Sequence, residues 1–222
     1  MTATLLLAAH GTKSEEGTAT TRALVDTIAA HRPSVPVELC FLDVASPSLA
    51  EALDRLTSVE VVVVPLLLSG GYHVQTDIPQ IVRGRSGVRV AAHLGPDPAV
   101  VTALTDRLAP AGANGAASVA LAAVTSSRPQ AQQDVERAAA LLGERLGRPV
   151  SVLSLAGDVA AELSALTLPV AVSAYLLAPG DFLTSLRAAM DGRGTLADPI
   201  GVHPALVDLV WARYDAARLS AG

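Results

Sequence analysis

Three stretches in the first half of the chain return, in the same order, in the second. TLLLAAHGT (Thr4–Thr12) is echoed by SVALAAVTSS (Ser118–Ser127), and PLLLSGGYHV (Pro65–Val74) by YLLAPGDFL (Tyr175–Leu183). LGPDPAVVTAL (Leu94–Leu104) is echoed by IGVHPALVDLV (Ile200–Val210). Matches in one order, at offsets of about 105–115 residues, describe a duplicated supersecondary unit. Such a chain must fold twice on one plan. The unit alternates short apolar runs with helical patterns, which is the sequence form of a β-α-β protein with a parallel sheet. The expected fold is α/β: two similar lobes, each an open four-stranded, mainly parallel sheet flanked by helices. Ligand is expected outside the carboxyl ends of the strands, in the cleft between the lobes. The Gly/Ala-rich APAGANGAAS (Ala109–Ser118) reads as the linker, so the expected domains are residues 1–112 and 117–222.

In the first copy, Thr4–Gly11 reads as a strand and Ser14–Ala30 as a helix with Leu24, Val25 and Ile28 on one face. Val35–Asp43 is a second strand. Ser46-Pro47 predicts an N-cap with proline at the first helical position, ahead of Leu49, Leu53 and Leu56. Val59–Leu66 is a third strand, Asp77-Ile78-Pro79 opens a short helix, and Gly87–Gly95 is a fourth strand. Asp97-Pro98 then caps a helix whose buried face carries Val101, Leu104 and Leu108. Half the chain is hydrophobic but only 3% is aromatic, so the core must be aliphatic. That suits parallel strands, which read as Val/Leu runs.

The net charge of −5, with no basic stretch, argues against a nucleic-acid partner. A single cysteine, Cys40, excludes an internal disulfide and reads as core inside a strand. The apolar run before His10 is five residues long and lacks a basic flank, too short for a signal peptide or a membrane span. A cytoplasmic, soluble protein without a membrane partner is expected.

His10 and His73 each lie just past the end of a predicted strand, and Asp43 ends the strand between them. In a parallel sheet those three points share one rim. Two imidazoles and a carboxylate there suit a divalent first-row metal, with coordination left open. The competing reading is that each is a hydrogen-bonded structural residue, with Asp43 a turn acceptor. The second copy has Val124 and Phe182 at the matching places, so it retains the scaffold without the imidazoles. Gly70 and Gly71 let the backbone approach something flat or bulky. Asp77 reads as a helix N-cap rather than a ligand. His93 ends the fourth strand on the same rim, His31 reads as a helix terminus, and His203 precedes a proline at a helix start.

AAHGT, ELCFLD and PLLLSGGYHVQTDIP together resemble the sirohydrochlorin chelatases of the CbiX/SirB type, class II chelatases related in fold to ferrochelatase. The resemblance is close in the first half, and the second half is similar to the degenerate repeat of the long, two-lobed members. It implies that His10 and His73 hold the metal and that Asp43 assists. Many members carry Glu at that place; aspartate, one methylene shorter, acts either on the metal or through a water. It also implies a tetrapyrrole substrate, with Gly70, Gly71 and Phe182 against the macrocycle, and Fe2+ or Co2+ as substrate with no permanently bound cofactor. Lys13, Arg83, Arg85 and Arg128 would face the eight carboxylates of sirohydrochlorin. Iron is favoured by analogy: the Ala-, Arg- and Gly-rich composition hints at a GC-rich, aerobic-type origin in which early cobalt insertion is less needed; cobalt insertion toward cobalamin is the alternative. A non-catalytic metal or tetrapyrrole carrier and a two-lobed small-molecule binder are the readings outside catalysis. Because two lobes mimic a dimer, a monomer is expected.

Overall fold

The chain orders its elements as β1 (Thr4–Ala9), α1 (Glu15–His31), β2 (Val37–Phe41), α2 (Leu49–Arg55), β3 (Val61–Leu66), a π-helical turn (His73–Asp77), α3 (Ile78–Val82), β4 (Val88–Val90) and α4 (Pro98–Leu108). A 3-10 turn (Ala113–Gly115) precedes β5 (Ser118–Ala123), α5 (Pro129–Leu146), β6 (Val150–Ser154), α6 (Val159–Ser164), β7 (Val170–Ala174), α7 (Asp181–Met190), β8 (Gly194–Leu196) and α8 (Pro204–Leu219). This is a computed structural model and describes residues 3–56 and 60–219. Val59, the expected start of the third strand, and the outermost residues of both expected domains lie outside the described residues.

Two four-stranded sheets form, ordered β2-β1-β3-β4 and β6-β5-β7-β8, and every pairing in both is parallel. The repeat is kept at the level of register. Thr4 pairs with Val61 in one sheet and Ser118 with Val170 in the other. Beyond the strands, Leu94 N–H donates to Leu67 O and Ile200 N–H to Leu176 O, again at matching places. Counting along this register gives Phe182 the place in the second sheet that His73 has in the first, as the sequence echo has it.

β1 and β3 are buried along their whole length, as expected of central strands covered on both faces. Pro65 is accommodated inside β3 because β4 pairs only as far as Val63 and needs no donor from it. Leu6, Ala8, Cys40, Leu49, Leu53, Val61, Val63 and Ile78 form one core cluster, which places the thiol of Cys40 in the core as expected. Burial pushes that thiol up to about 12, so it stays protonated. Ala120, Ala122, Leu153, Leu163, Val170, Val172, Leu186 and Met190 form the corresponding cluster of the second sheet.

One local expectation shifts. The helix after β2 is capped by Ser48, whose hydroxyl accepts from Glu51 N–H while Glu51 accepts back from Ser48 N–H. Ser46-Pro47 therefore precedes the cap instead of forming it, because the Pro47 carbonyl is taken by Phe41 N–H at the end of β2.

The larger difference lies in the division of the chain. Two compact units form, one from residues 1–94 with 202–222 and the other from 95–201. The boundaries expected at 112 and 117 thus fall inside the second unit. α4 packs on α5 and β7, and α8 packs on α1, β3 and β4, so the two halves exchange their last helices. α8 is tied in by Trp211, whose Nε1 donates to Ile28 O at 3.2 Å, and by Tyr214, whose hydroxyl donates to Ala3 O. Arg32 Nη1 donates to both carboxylate oxygens of Asp215 (2.9 and 2.8 Å), and the guanidinium lies 4.6 Å from the Trp211 ring centre. Among the described residues no helix is long and apolar enough to cross a membrane.

Candidate metal centre

The rim of the first sheet is built by backbone before any side chain acts. Leu42 N–H donates to Ala9 O (2.8 Å) and Asp43 N–H to His10 O (2.9 Å), which carries the β1–β2 ladder past the strands. Those bonds fix Asp43 beside His10. Ala45 N–H then donates to Asp43 O at 2.6 Å, a γ-turn with Val44 at φ 47°. A β-branched residue in that region costs about 1–3 kcal/mol, and such strain gathers at functional sites. Asp43 Oδ1 accepts Val44 N–H at 2.8 Å, so the carboxylate that lies near both imidazoles is also the turn acceptor.

Gly11 makes this approach possible. Its φ is +99°, and a Cβ there would lie 2.3 Å from the Asp43 carbonyl oxygen. The His-Gly pair is one device: the histidine supplies the ring, and the glycine lets the next loop close on it.

His73 arrives from the other side of β1, on the loop after β3. Gln75 pins that loop, its Nε2 donating to Gly70 O (2.8 Å) and its N–H to Gly71 O (3.1 Å). The expectation that His73 meets His10 holds: their ring centres are 4.8 Å apart. One ligand atom from each of His10, Asp43 and His73 lies within 4.8 Å of the others. Two bonds of ~2.0–2.1 Å at a tetrahedral angle put donor atoms about 3.3 Å apart, so modest side-chain movement closes the site on an ion. All three residues belong to the first unit.

Asp77 departs from the sequence expectation. Its backbone is already helical (φ −65°, ψ −54°), and it makes no side-chain cap bond. The chain enters helical geometry one π-turn earlier, at His73, so the carboxylate is free to face the imidazole. His73 Nδ1 lies 2.6 Å from Asp77 Oδ2. The H-x-x-x-D spacing was the available signal, since residues four apart share a helix face.

The remaining candidates sort clearly. His203 caps α8, its Nδ1 accepting Ala205 N–H at 3.2 Å, in the place where Asp97 caps α4 in the other copy. His31 sits 3.7 Å from Asp208 with both side chains well exposed. His93 is outside the metal cluster, and its carbonyl accepts from Arg213 Nε. Arg85 pairs with Asp54 (2.7 Å) and donates to Ile81 O (3.0 Å). Lys13 and Arg83 are exposed. A Cβ at Gly71 would meet nothing within 4 Å, so the loop is open above that glycine. In the second unit Val124 and Phe182 expose 39% and 44% of their surface at the corresponding strand ends, enough to meet an apolar ligand face.

Residues 4–111 match the CbiX family model. Over that span the chain is similar to the CbiX family. No curated protein sequence matches the chain. Among solved structures, the sirohydrochlorin chelatase SirB from Bacillus subtilis subspecies spizizenii in complex with cobalt is similar at TM-score 0.84 and 24% identity, over 99% of this chain and 97% of that one. SirB from Bacillus subtilis with Fe3+ is similar at TM-score 0.79 and 27% identity, over 98% and 96%. CbiX, the terminal enzyme for biosynthesis of siroheme in denitrifying bacteria, is similar at TM-score 0.74 and 21% identity, over 96% and 99%. The fold of these chelatases therefore extends through the second unit, beyond the residues that the CbiX model covers.

Electrostatics at this rim favour a neutral His10. Partial dehydration lowers its pKa below the usual imidazole value, the neighbouring His73 lowers it further, and Asp43 opposes them. Metal and proton compete for the same lone pair. A depressed pKa leaves fewer protons on His10 at any given pH, so metal binding through His10 is expected to persist below about pH 6.5, the ordinary imidazole value. A pH series of Co2+ binding, followed by its visible absorption, checks this; loss of binding with a midpoint clearly above that value contradicts it.

Proposed function

We propose that the protein is a sirohydrochlorin chelatase, inserting a divalent metal, with Fe2+ favoured, into the metal-free macrocycle. The observation that carries this is the convergence of His10, His73 and Asp43 on one strand-end rim, within the residues that match the CbiX family model. Insertion replaces two pyrrolic protons by one M2+, so two protons must leave the ring as the metal enters. His10 and His73 deliver the ion as neutral ligands or take those protons, and Asp43 shares the ligand or base role. Gly70 and Gly71 leave room for the ring, and Phe182 and Val124 offer it an apolar face. Lys13, Arg83, Arg85 and Arg128 are the cations proposed to meet its carboxylates. The metal is a substrate, and the reaction calls for no resident cofactor; the duplicated plan suits a monomer.

Cobalt insertion is the second reading, supported by the solved SirB structure in complex with cobalt. Ligand chemistry alone does not separate them, because cobalt binds N/O sites more tightly than iron and cellular supply then decides. Anaerobic incubation with sirohydrochlorin and Fe2+ or Co2+, followed by the absorbance of the metalated ring, tests the proposal and ranks the ions. Catalytic turnover is expected. Binding at one equivalent without metalation would make the protein a carrier. Phe182→Ala is expected to weaken tetrapyrrole binding several-fold before it slows insertion, and an unchanged affinity would remove Phe182 from the ring site.

A further inference from the structure

The pair His73–Asp77 has a geometry that a surface ion pair does not need. Nδ1 and Oδ2 are 2.6 Å apart, and each side chain is only 24% exposed. A second histidine–aspartate ion pair among the described residues, His31 with Asp208, is 3.7 Å long and 52% and 71% exposed. A carboxylate only accepts hydrogen bonds, so a neutral His73 must place its one proton on Nδ1 to make this contact. Nε2 is then bare. We propose that Asp77 is a positioning residue for His73, holding its imidazole as the Nδ1–H tautomer so that the Nε2 lone pair is presented to a divalent cation held with His10 and Asp43. The inference rests on the metal-binding reading of that cluster.

Three features of the chain support the assignment. The π-turn closes through Ile78 N–H to His73 O, which sets the two side chains on one face. Asp77 makes no helix-cap bond, so its carboxylate is not spent on the backbone. Gln75, inside the same turn, ties the turn to Gly70 O and so holds the pair at a fixed place on the rim. A carboxylate behind a ligating imidazole fixes ring orientation and raises ligand basicity. His203 is a built-in contrast: its Nδ1 accepts Ala205 N–H, which requires the opposite tautomer of a neutral ring.

The test uses metal-free full-length protein with 15N-labelled histidine at about pH 8.5, above the ordinary imidazole value. His73 signals are assigned by their loss in His73→Ala. Wild type is expected to show Nδ1 protonated in His73. In Asp77→Ala the ring should move toward the Nε2–H form, and Co2+ affinity, read from visible absorption, should fall about 10–100-fold. Asp77→Leu keeps most of the volume and removes the acceptor, so it gives the same readouts should the alanine variant lose its circular-dichroism signature. Asp77→Asn keeps an oxygen acceptor without the charge and is expected to lie between. An Nε2–H tautomer in wild type, an unshifted tautomer in the variants, or Co2+ affinity within about threefold of wild type would overturn the proposal. Neither readout involves a tetrapyrrole, so failure to metalate sirohydrochlorin would end the chelatase reading and leave this one standing.

Discussion

His73→Ala is expected to slow metal insertion by about two orders of magnitude or more while leaving tetrapyrrole affinity nearly unchanged. The imidazole it removes lies against His10, with ring centres 4.8 Å apart, and its partner Asp77 holds the far nitrogen. The lost interaction belongs to the ion and the departing protons, so it should appear in kcat rather than in ring binding. His10→Ala should act in the same direction. The double variant should lose less than the product of the two, because residues of one site are not independent. Stopped-flow absorbance for insertion and fluorescence quenching for ring binding separate the two quantities. Full turnover by His73→Ala would sink the assignment of this rim as the reaction centre.

Gly11→Ala is expected to damage both stability and metal binding, although it adds one methyl group to a residue with no ligand atom of its own. A Cβ at Gly11 meets the Asp43 carbonyl oxygen at 2.3 Å and Val44 Cγ2 at 3.0 Å. The first obstacle is backbone and cannot rotate aside. The residue must also keep φ near +99°, a region that costs a non-glycine residue about 1–3 kcal/mol. Relief requires the 43–45 turn to move away, which breaks the bond from Asp43 N–H to His10 O and draws the carboxylate out of the cluster. Each kcal/mol lost lowers the melting temperature of a chain this size by about 2–4 °C. Thermal unfolding and Co2+ titration of Gly11→Ala together check the expectation. Gly71→Ala is the control for stability, since a Cβ there meets nothing within 4 Å. Wild-type melting and wild-type Co2+ affinity in Gly11→Ala would show that the loop does not depend on that glycine.

Much of this was legible in the sequence because it depends on short-range pattern and on topology. Uninterrupted apolar runs such as LLLAA and VVVV become central strands because parallel sheets are covered on both faces. Once the sheet is parallel, strand ends fall on one rim, so His10, Asp43 and His73 could be grouped before any distance was known. The repeat likewise predicted a second sheet of the same order, with Val124 and Phe182 where the imidazoles stand in the first. The tertiary structure alone decided the rest. α4 and α8 have equivalent patterns and apolar faces that either sheet could receive, so no local signal says that they exchange units; Trp211 and Tyr214 settle it through partners 183 and 211 residues away. Asp77 looked like a helix cap because Asp-Ile-Pro is a common helix start. Only the π-turn, which brings the chain into helical geometry at His73, turns that carboxylate toward the ring. The need for Gly11 was hidden for the same reason, since the oxygen that excludes a side chain there belongs to Asp43, on another strand end. Local propensity and periodicity are written in neighbouring residues, whereas these choices depend on which distant atoms the folded chain brings within a few ångströms.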